Sequence, residues 1–486
     1  MMNSRSIFAV LMVAMFVSTV MFSVVTISDE DSVAASTISV VDRDAADNDI
    51  TGIVKDGGII TVGPGALRWV SYIGMVHDVR CIDYGDVNAS SMNGKGYRTL
   101  FDLDGAKKVD SAGLIAKYKS EPSNPPIESD LKEFGISIHT HNDFTTADLE
   151  SLAKWSEIPK TMVIVNTIYD ELTPELKKGV TMLGIKFVVI KNCTKFLNDD
   201  FSLYGDFIID LSIMGSAFDN ITGANDLADK IGKHVDTIRG LIDGKTSKFG
   251  KAYIGAASYS GAKSLTWTVG SYLPFELAGV KNSYSGTSTI SEDAGSEVMS
   301  KTNPDVIFMD LSSTTKFTGS DEGSNAVLKY AELKNVPIYT ILPYVWFGIN
   351  FDNAIANAYY LVYVCYDDVI SYDEVLKYIG SVYDDFYPEL GEERMTIGDT
   401  TYVGGNIVVP HMMADYYSQK GSKLTVDGNC LKVTVEEGKN TFEITERPGG
   451  GSHDGDSEGN SAIIIGVAIL ALVAIGILGY AFLRRR

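Results

Sequence analysis

The chain has 486 residues, of which 45% are hydrophobic and 21% charged, and its formal net charge is −22. This length accommodates two core-bearing domains with accessory segments. The acidic excess argues against a nucleic-acid partner and fits a solvated acidic exterior. The chain contains 6 histidines and no Ser/His/Asp or paired-carboxylate arrangement, so the sequence predicts neither an enzyme nor a bound cofactor.

The N-terminus has the pattern of a secretory signal. A single early cation, Arg5, precedes an apolar run over residues 7–25, and small residues follow at 32–36. This pattern predicts a signal peptide over residues 1–35. An uncleaved signal anchor is the alternative, because an apolar run of about 19 residues is long for a signal peptide.

The C-terminus predicts a membrane span. Residues 462–483 form an uninterrupted apolar run of about 22 residues, long enough to cross a bilayer. Three arginines follow at 484–486, which places that end in the cytoplasm. Residues 447–461 are rich in Gly, Ser and acidic residues and predict a flexible linker. We therefore expect a single-pass protein whose folded part is extracytoplasmic.

An N-terminal α/β lobe is predicted over residues 58–205. Short apolar runs that end at Gly, Pro or Asp alternate with helical patterns, which is typical of βαβ units with parallel strands. Strands are predicted at 58–63, 79–83, 136–139, 161–166 and 185–190, and helices at 66–73, 146–155 and 174–182.

A connecting helical segment is predicted over residues 206–243. Apolar residues recur there at steps of three and four from Ala224 to Ile242, with Thr222 as the expected N-cap and Gly244 as the stop.

A C-terminal α/β lobe is predicted over residues 250–420 with the same order of elements. Strands are expected at 251–255, 306–310 and 336–341, and helices at 325–333, 355–366 and 372–387. A small β segment follows at 424–446 and is interpreted as a spacer before the linker. The chain has 4 cysteines without a CxxC pair, which we interpret as buried free thiols.

The order of these motifs resembles a known family. The pattern strand, turn, helix, Gly and strand over Thr61–Asp83 is similar to the opening of the helical-backbone class of ABC-transporter substrate-binding proteins, which serve iron-siderophore, haem and cobalamin importers. Asn303-Pro-Asp-Val-Ile-Phe308 is similar to a further strand of that class. Three other stretches are similar to its iron-complex branch: Ser258-Tyr-Ser-Gly-Ala-Lys263, Tyr272-Leu-Pro-Phe-Glu276, and Leu342-Pro-Tyr344 through Asn357-Ala-Tyr-Tyr360. Two features depart from the family. Pro159-Lys160 stands where a Pro-Asp pair is usual, and the C-terminal span replaces a lipid anchor, as an archaeal type would.

The resemblance implies a fold of two Rossmann-like α/β lobes joined by a long helix, with the ligand cleft between them. It implies an extracytoplasmic, monomeric protein that passes a metal chelate to the permease and ATPase subunits of an ABC importer. Such a ligand favours aromatic faces with a few cations. The residues expected to line the cleft are Arg68, Trp69, Tyr84, Tyr97, Arg98, Tyr169, Tyr259, Lys263, Trp267, Tyr272, Tyr344 and Trp346.

The resemblance also implies one carboxylate on each lobe that docks to the permease, and Glu150 and Glu297 are the best matches. Two other classes of function stay open at this point. His139 and His141 are spaced to lie on one face of a strand, which would suit a surface metalloprotein or enzyme. A cell-surface adhesion module is the third alternative.

Overall fold

A computed structural model describes the central part of the chain and two short strands near its C-terminus. The described residues are 58–83, 137–139, 143–155, 157–193, 195–259, 261–316, 321–345, 348–391, 393–397, 400–408, 432–435 and 442–444. The predicted signal peptide, linker and C-terminal span lie outside these ranges, as do Tyr84, Tyr97, Arg98, His141 and Trp346. Among the helices that are described, none is long and apolar enough to cross a membrane.

The first lobe is built on a five-stranded parallel sheet. Its strands are β1 (Ile59–Val62), β2 (Val79–Asp83), β3 (Ser137–His139), β4 (Thr161–Val165) and β5 (Lys186–Ile190). Their spatial order is β3-β2-β1-β4-β5, and every pair is parallel. All residues of β1 and β4 are buried, which is expected of parallel strands covered by helices on both faces. All five predicted strands of this lobe are confirmed within two residues.

Four helices connect these strands. They are α1 (Ala66–Tyr72), α2 (Thr146–Leu152), α3 (Asn166–Glu171) and α4 (Pro174–Met182). Local sequence explains two of their beginnings. Thr145 forms a capping box with Asp148 at the start of α2, and Thr173 caps α4 ahead of Pro174. The sequence did not predict α3.

The connecting segment is two helices, α5 (Gly205–Ala217) and α6 (Ile221–Ile242), rather than one. Asp219 between them has a φ of 53°, and the Asn220 side chain accepts a hydrogen bond from the Gly223 backbone N–H. Asn220, not Thr222, is therefore the N-cap of α6. The Asn220 amide also donates to the carbonyl of Ile73 at 3.0 Å, which fixes the corner against the first lobe.

The second lobe repeats the wiring around a mixed sheet. Its strands β6 (Ala252–Gly255), β9 (Val306–Asp310) and β10 (Ile338–Ile341) are parallel, as β1, β4 and β5 are. The intervening and following helices are α7 (Leu273–Leu277), α8 (Val298–Thr302), α9 (Glu322–Lys334), α10 (Phe351–Cys365) and α11 (Tyr372–Phe386). The three predicted strands and three predicted helices are confirmed, with bounds that shift by up to four residues.

The β segment near the C-terminus belongs to this second sheet. Strand β13 (Lys432–Val435) pairs antiparallel with β10, and β14 (Phe442–Ile444) pairs antiparallel with β13. The spatial order is β14-β13-β10-β9-β6. The hairpin was predicted, but its interpretation as a spacer was wrong, because it extends the sheet and covers the edge of β10.

Small elements that the sequence did not predict complete the lobe. Two short antiparallel pairs are β7 (Trp267–Thr268) with β8 (Glu292–Asp293), and β11 (Arg394–Ile397) with β12 (Thr400–Val403). Three 3₁₀ turns span Val76–Asp78, Leu311–Lys316 and Gly404–Ile407.

The two lobes share one hydrophobic core. A single cluster of buried apolar residues extends from α1 and β4 of the first lobe through α5 and α6 to β9 and α10 of the second. A smaller cluster covers the outer face of the first sheet. The lobes are therefore held together by side-chain packing as well as by the connecting helices. Cys81, Cys193 and Cys365 are buried free thiols, as expected, and Cys430 lies outside the described residues.

Candidate functional site

The carboxyl ends of both parallel sheets are directed to the same region between the lobes. In open α/β sheets this edge is where ligands bind. The turn after β1, Gly63-Pro64-Gly65, leads into α1, and the Gly63 N–H donates to a carboxylate oxygen of Asp83 at 3.1 Å. Asp83 ends the neighbouring strand β2 and is buried, so it fixes this turn at the edge of the sheet.

Arg68 is the cation at this edge. It lies on α1 and is completely buried, and its Nη2 donates to Asn350 Oδ1 of the second lobe at 2.8 Å. Two glycines of opposite lobes flank the guanidinium. A Cβ built on Gly65 or on Gly348 would lie 3.1 Å from Arg68 Nη1, and both glycines have positive φ angles. Their missing side chains leave room for the guanidinium where the lobes meet.

Asn192 is placed beside Arg68 by the loop after β5. Asp210 on α5 accepts hydrogen bonds from the backbone N–H groups of Lys191 at 2.8 Å and Asn192 at 3.0 Å. Asn192 has a φ of 50°, and its Nδ2 donates to the carbonyl of Pro64 at 2.6 Å. These bonds set the orientation of the side-chain amide at the edge of the first sheet.

Tyr259 of the second lobe lies within electrostatic range of Arg68. It follows β6 and is half-buried. Burial raises the pKa of its phenol, while the positive charge of Arg68 lowers it, so the two groups interact across the lobes. Ala256, which begins this loop, has a φ of 64°, and its carbonyl accepts hydrogen bonds from Ser313 Oγ at 2.9 Å and Ser312 Oγ at 3.3 Å. Arg68, Asn192, Tyr259, Gly348 and Asn350 are called the strand-end site below.

Asp310 connects two loops of the second lobe near this site. It ends β9, is buried, and accepts from the backbone N–H of Ser312 at 2.8 Å and of Tyr344 at 3.3 Å. Burial raises the pKa of Asp310 to about 7, against the lowering effect of these hydrogen bonds. The carboxylate therefore changes charge near neutral pH.

A buried layer lies next to the strand-end site. Asp352, at the start of α10, accepts hydrogen bonds from the hydroxyls of Tyr72 at 3.0 Å and Tyr387 at 2.6 Å. All three are wholly or almost wholly buried, and burial raises the pKa of each. Trp69 is also fully buried, with ring centroids 5.2 Å from Phe207 and 5.9 Å from Phe351. Trp69, Tyr72, Phe351, Asp352 and Tyr387 are called the interlobe core below.

The other candidate ligand residues occupy different places. Tyr169 packs on the outer face of the first sheet, 5.1 Å from the Phe187 ring and with Lys177 Nζ 3.7 Å from its ring centroid. Tyr272 and Tyr344 are buried and pack edge to face at 5.3 Å. These contacts account for all three residues as core residues of their lobes, and their predicted contact with a ligand stays a prediction.

Lys263 and Trp267 form a cation–aromatic pair at the start of the second lobe. Lys263 Nζ lies 4.4 Å from the centroid of the Trp267 ring, and both side chains are half-buried. The Lys263 backbone N–H donates to Ser313 Oγ at 2.9 Å, and the same hydroxyl donates to the carbonyl of Ala256. The pair therefore lies in the same loop system as Tyr259.

Glu150 and Glu297 lie at corresponding positions of the two lobes. Glu150 is on α2, which precedes β4, and Glu297 precedes α8, which leads to β9. Both are exposed, and Glu297 forms an ion pair of 3.2 Å with Lys301. Their assignment to permease docking stays a prediction.

The histidine-based metal site is not tested. The described residues contain no group of three or more His, Cys, Asp or Glu side chains that could hold a metal ion. His139 lies on β3, but its side chain and all of His141 are outside the described part.

Sequence reasoning missed Asn192, Gly348, Asn350 and Asp352. A usable signal existed for Asn192, because it follows a predicted strand directly, as Arg68 and Tyr259 follow theirs. Asn350 and Asp352 are distant in sequence from the first lobe, and only the packing of α10 against α1 brings them to this region.

No family model and no curated protein matches the sequence. Several solved structures are similar to the chain. A periplasmic solute-binding protein of Veillonella parvula is 14% identical over 69% of this chain and 89% of its own, with a TM-score of 0.45. The molybdate periplasmic binding protein of a Haemophilus influenzae ABC transporter is 14% identical over 68% and 93%, with a TM-score of 0.46. A periplasmic haem-binding protein of Vibrio cholerae is 14% identical over 63% and 97%, with a TM-score of 0.39. Similarity at this level identifies neither a ligand nor a partner of this chain.

Proposed function

We propose that this protein is the extracytoplasmic substrate-binding component of an ABC importer and captures an iron-siderophore or a related metal chelate between its lobes. The observation that supports the proposal most is the 2.8 Å hydrogen bond from Arg68 of the first lobe to Asn350 of the second, at the carboxyl ends of two parallel sheets. A group bound there would contact both lobes at once. Haem and cobalamin belong to the same class of ligand and are included in the proposal.

The arrangement of charges and rings favours an anionic ligand with a flat or apolar part. Arg68 supplies a positive charge from the base of the site, and the Lys263–Trp267 pair supplies a second cation with an aromatic face. The guanidinium of Arg68 fills the gap between Gly65 and Gly348. A bulky chelate would therefore lie further out, against Tyr259 and Trp267, with one of its groups directed to Arg68.

Calorimetry with the full-length protein in detergent tests this proposal. The titrants are a ferric trihydroxamate, a ferric catecholate, haem and cobalamin. We expect at least one to bind, and Tyr259→Phe, which removes only the hydroxyl, to weaken its affinity by about tenfold. Tyr330→Phe is the matched control, because the Tyr330 hydroxyl donates to Asn303 Oδ1 at 2.9 Å, at the end of α8 and away from the site. Absence of binding by all four probes would reject the proposal.

Delivery to the membrane is the second part of the proposal. The protein would be held by the span at 462–483 and would dock to the permease through Glu150 and Glu297, one carboxylate on each lobe. Exposed charge pairs of this kind set orientation and encounter rate more than affinity. Deletion of residues 462–483 should release the protein from the membrane fraction of the cells that express it. Retention of the truncated protein in that fraction would contradict the anchor.

A further inference from the structure

The amide of Asn192 has a hydrogen-bonding capacity that the described residues do not use. Its Oδ1 is buried and has no hydrogen-bond partner among them, while its Nδ2 is held by the carbonyl of Pro64 at 2.6 Å. Because Nδ2 must be the atom that faces a carbonyl, Oδ1 must be the atom that faces the other way. A buried acceptor without a donor is unfavourable, so such a group in a folded protein is usually completed by water or by a ligand.

Oδ1 lies close to both glycines of the strand-end site. A Cβ built on Gly65 would lie 2.7 Å from Asn192 Oδ1, and a Cβ built on Gly348 would lie 3.6 Å from it and 3.3 Å from Nδ2. A side chain on either glycine would therefore crowd the amide. Asn192 as a whole is only partly buried.

The backbone of this loop is built to hold the amide in place. Asp210 binds the N–H groups of both Lys191 and Asn192, and the φ of 50° at Asn192 lies in the left-handed region, which Asn adopts more readily than most residues. A ligand therefore meets an acceptor that is already oriented. Such preorganisation favours the ligand that supplies the matching donor.

The charge of Arg68 restricts the kind of donor. A Cβ built on Gly65 would lie 3.1 Å from Arg68 Nη1 and 2.7 Å from Asn192 Oδ1, so these two atoms are neighbours. A cationic donor such as an ammonium group would be repelled by the guanidinium at this distance. A neutral amide N–H or O–H group can donate to Asn192 Oδ1, while the negative charge of the same ligand is attracted to Arg68.

We propose that Asn192 is a specificity-determining residue that selects chelates carrying a neutral hydrogen-bond donor, either an amide N–H or a hydroxyl. This inference rests on the proposed function and names the ligand chemistry at the same site. Asn192 would discriminate against chelates whose group next to Oδ1 is fully alkylated or is an ammonium group.

Two matched pairs of probes test the inference on the full-length protein. One pair is a ferric trihydroxamate with secondary amides and the same chelate with those amides N-methylated. The other is a ferric trihydroxamate with a free hydroxyl outside its iron-binding groups and the methyl ether of that hydroxyl. We expect the donor-bearing member of at least one pair to bind about tenfold more tightly. Conversion of an amide into an ammonium group should also weaken binding.

The decisive variant is Asn192→Gly, which accepts the left-handed backbone and removes the amide. It should abolish the preference within each pair. Asn335→Gly is the matched control, because Asn335 has a φ of 52° and caps the exposed end of α9, away from the site.

The outcomes separate this inference from the proposed function. Binding without any preference in either pair, or a preference that survives Asn192→Gly, overturns the inference and leaves the binding function standing. Failure of every chelate to bind rejects both.

Discussion

The interlobe core and the strand-end site lie next to each other but are built differently. In the interlobe core, the polar groups of Asp352, Tyr72 and Tyr387 are paired with each other and enclosed by aromatic rings. In the strand-end site, Tyr259 is half-buried and Asn192 keeps a buried oxygen that no described residue pairs with. The Asp352 carboxyl group and the two tyrosine hydroxyls of the first region are paired within the protein, whereas the Asn192 oxygen of the second has no partner among the described residues.

This difference assigns separate tasks to the two regions. The interlobe core fixes the distance between the lobes, because separating them would expose large aromatic surfaces and break the bonds to Asp352. The strand-end site can then be kept incomplete without allowing the lobes to drift apart. We therefore expect substitutions in the core to lower stability, and substitutions in the site to lower affinity with smaller effects on stability.

The largest effect on stability is expected for Asp352→Ala. It leaves two buried tyrosine hydroxyls without their acceptor and removes a negative charge that interacts with Arg68. Loss of one member of such a buried network costs about 3–5 kcal/mol. Urea unfolding of the full chain measures the change, and Asp352→Asn, which keeps an oxygen acceptor, should lose less. A loss below about 1 kcal/mol would mean that the network does not hold the lobes together.

A pH-dependent change is expected from Asp310. Its pKa in the folded protein, about 7, is above the ordinary value of 3.8, so the folded state binds this proton more tightly than the unfolded chain. Protonated Asp310 therefore raises the free energy of unfolding at low pH, and this contribution is lost as the pH rises through about 7. Between pH 5 and pH 8 the loss should be roughly 3 kcal/mol.

Unfolding at both pH values, compared with Asp310→Asn, isolates this contribution, because the asparagine does not titrate. Asp305→Asn is the control at the opposite end of β9, where Asp305 accepts from the Lys251 N–H at 2.8 Å. Equal pH dependence in the wild type and Asp310→Asn would show that Asp310 does not titrate in this range.

A smaller stability effect and a clear affinity effect are expected for Gly348→Ala. Gly348 has a φ of 90°, and the new Cβ would lie 3.1 Å from Arg68 Nη1. The strained backbone costs about 1–3 kcal/mol, and the displaced guanidinium should weaken chelate binding by about tenfold. Gly244→Ala has a φ of 65° with open space around it and serves as the control for backbone strain alone. Similar affinities in the two variants would remove Gly348 from the site.

The smallest effect on stability is expected for Glu297→Ala. The side chain is 76% exposed, and its ion pair with Lys301 is of a kind that contributes roughly 0–1 kcal/mol. Chelate affinity should not change, while uptake by cells carrying the intact importer should fall. Glu332→Ala, another exposed glutamate of the second lobe, should leave uptake unchanged. Normal uptake in Glu297→Ala would argue against docking through this residue.

Much of the fold could be predicted because its signals are local. The apolar runs at β1, β4 and β9 end at residues that break strands, and the periodic spacing along α6 marks a helix. The break at Asp219 and Asn220 was missed because the apolar pattern continues on both sides of it, and the corner depends on a hydrogen bond to Ile73. The docking of β13 on β10 could not be predicted, since nothing in the sequence says which edge a hairpin covers.

The candidate site was predictable in outline but not in its composition. The rule that ligands bind at strand carboxyl ends predicted Arg68, Tyr259, Trp69 and Tyr169 as cleft residues, and ligand contact by each of them stays a prediction. Arg68 lies where the two lobes meet, whereas the rings of Trp69 and Tyr169 face the interlobe core and the outer sheet face. Side-chain direction decides between these cases, and it depends on contacts distant in sequence, such as that between Trp69 and Phe351.

Hydrogen–deuterium exchange of the full-length protein, with and without a saturating ferric chelate, tests the central claim most directly. If the ligand lies between the lobes, backbone amides near Arg68 and near Tyr259 should both become protected, while those of α4 on the outer face of the first lobe should not change. Protection confined to one lobe, or absent from both segments despite binding in calorimetry, would contradict a ligand held between the two lobes.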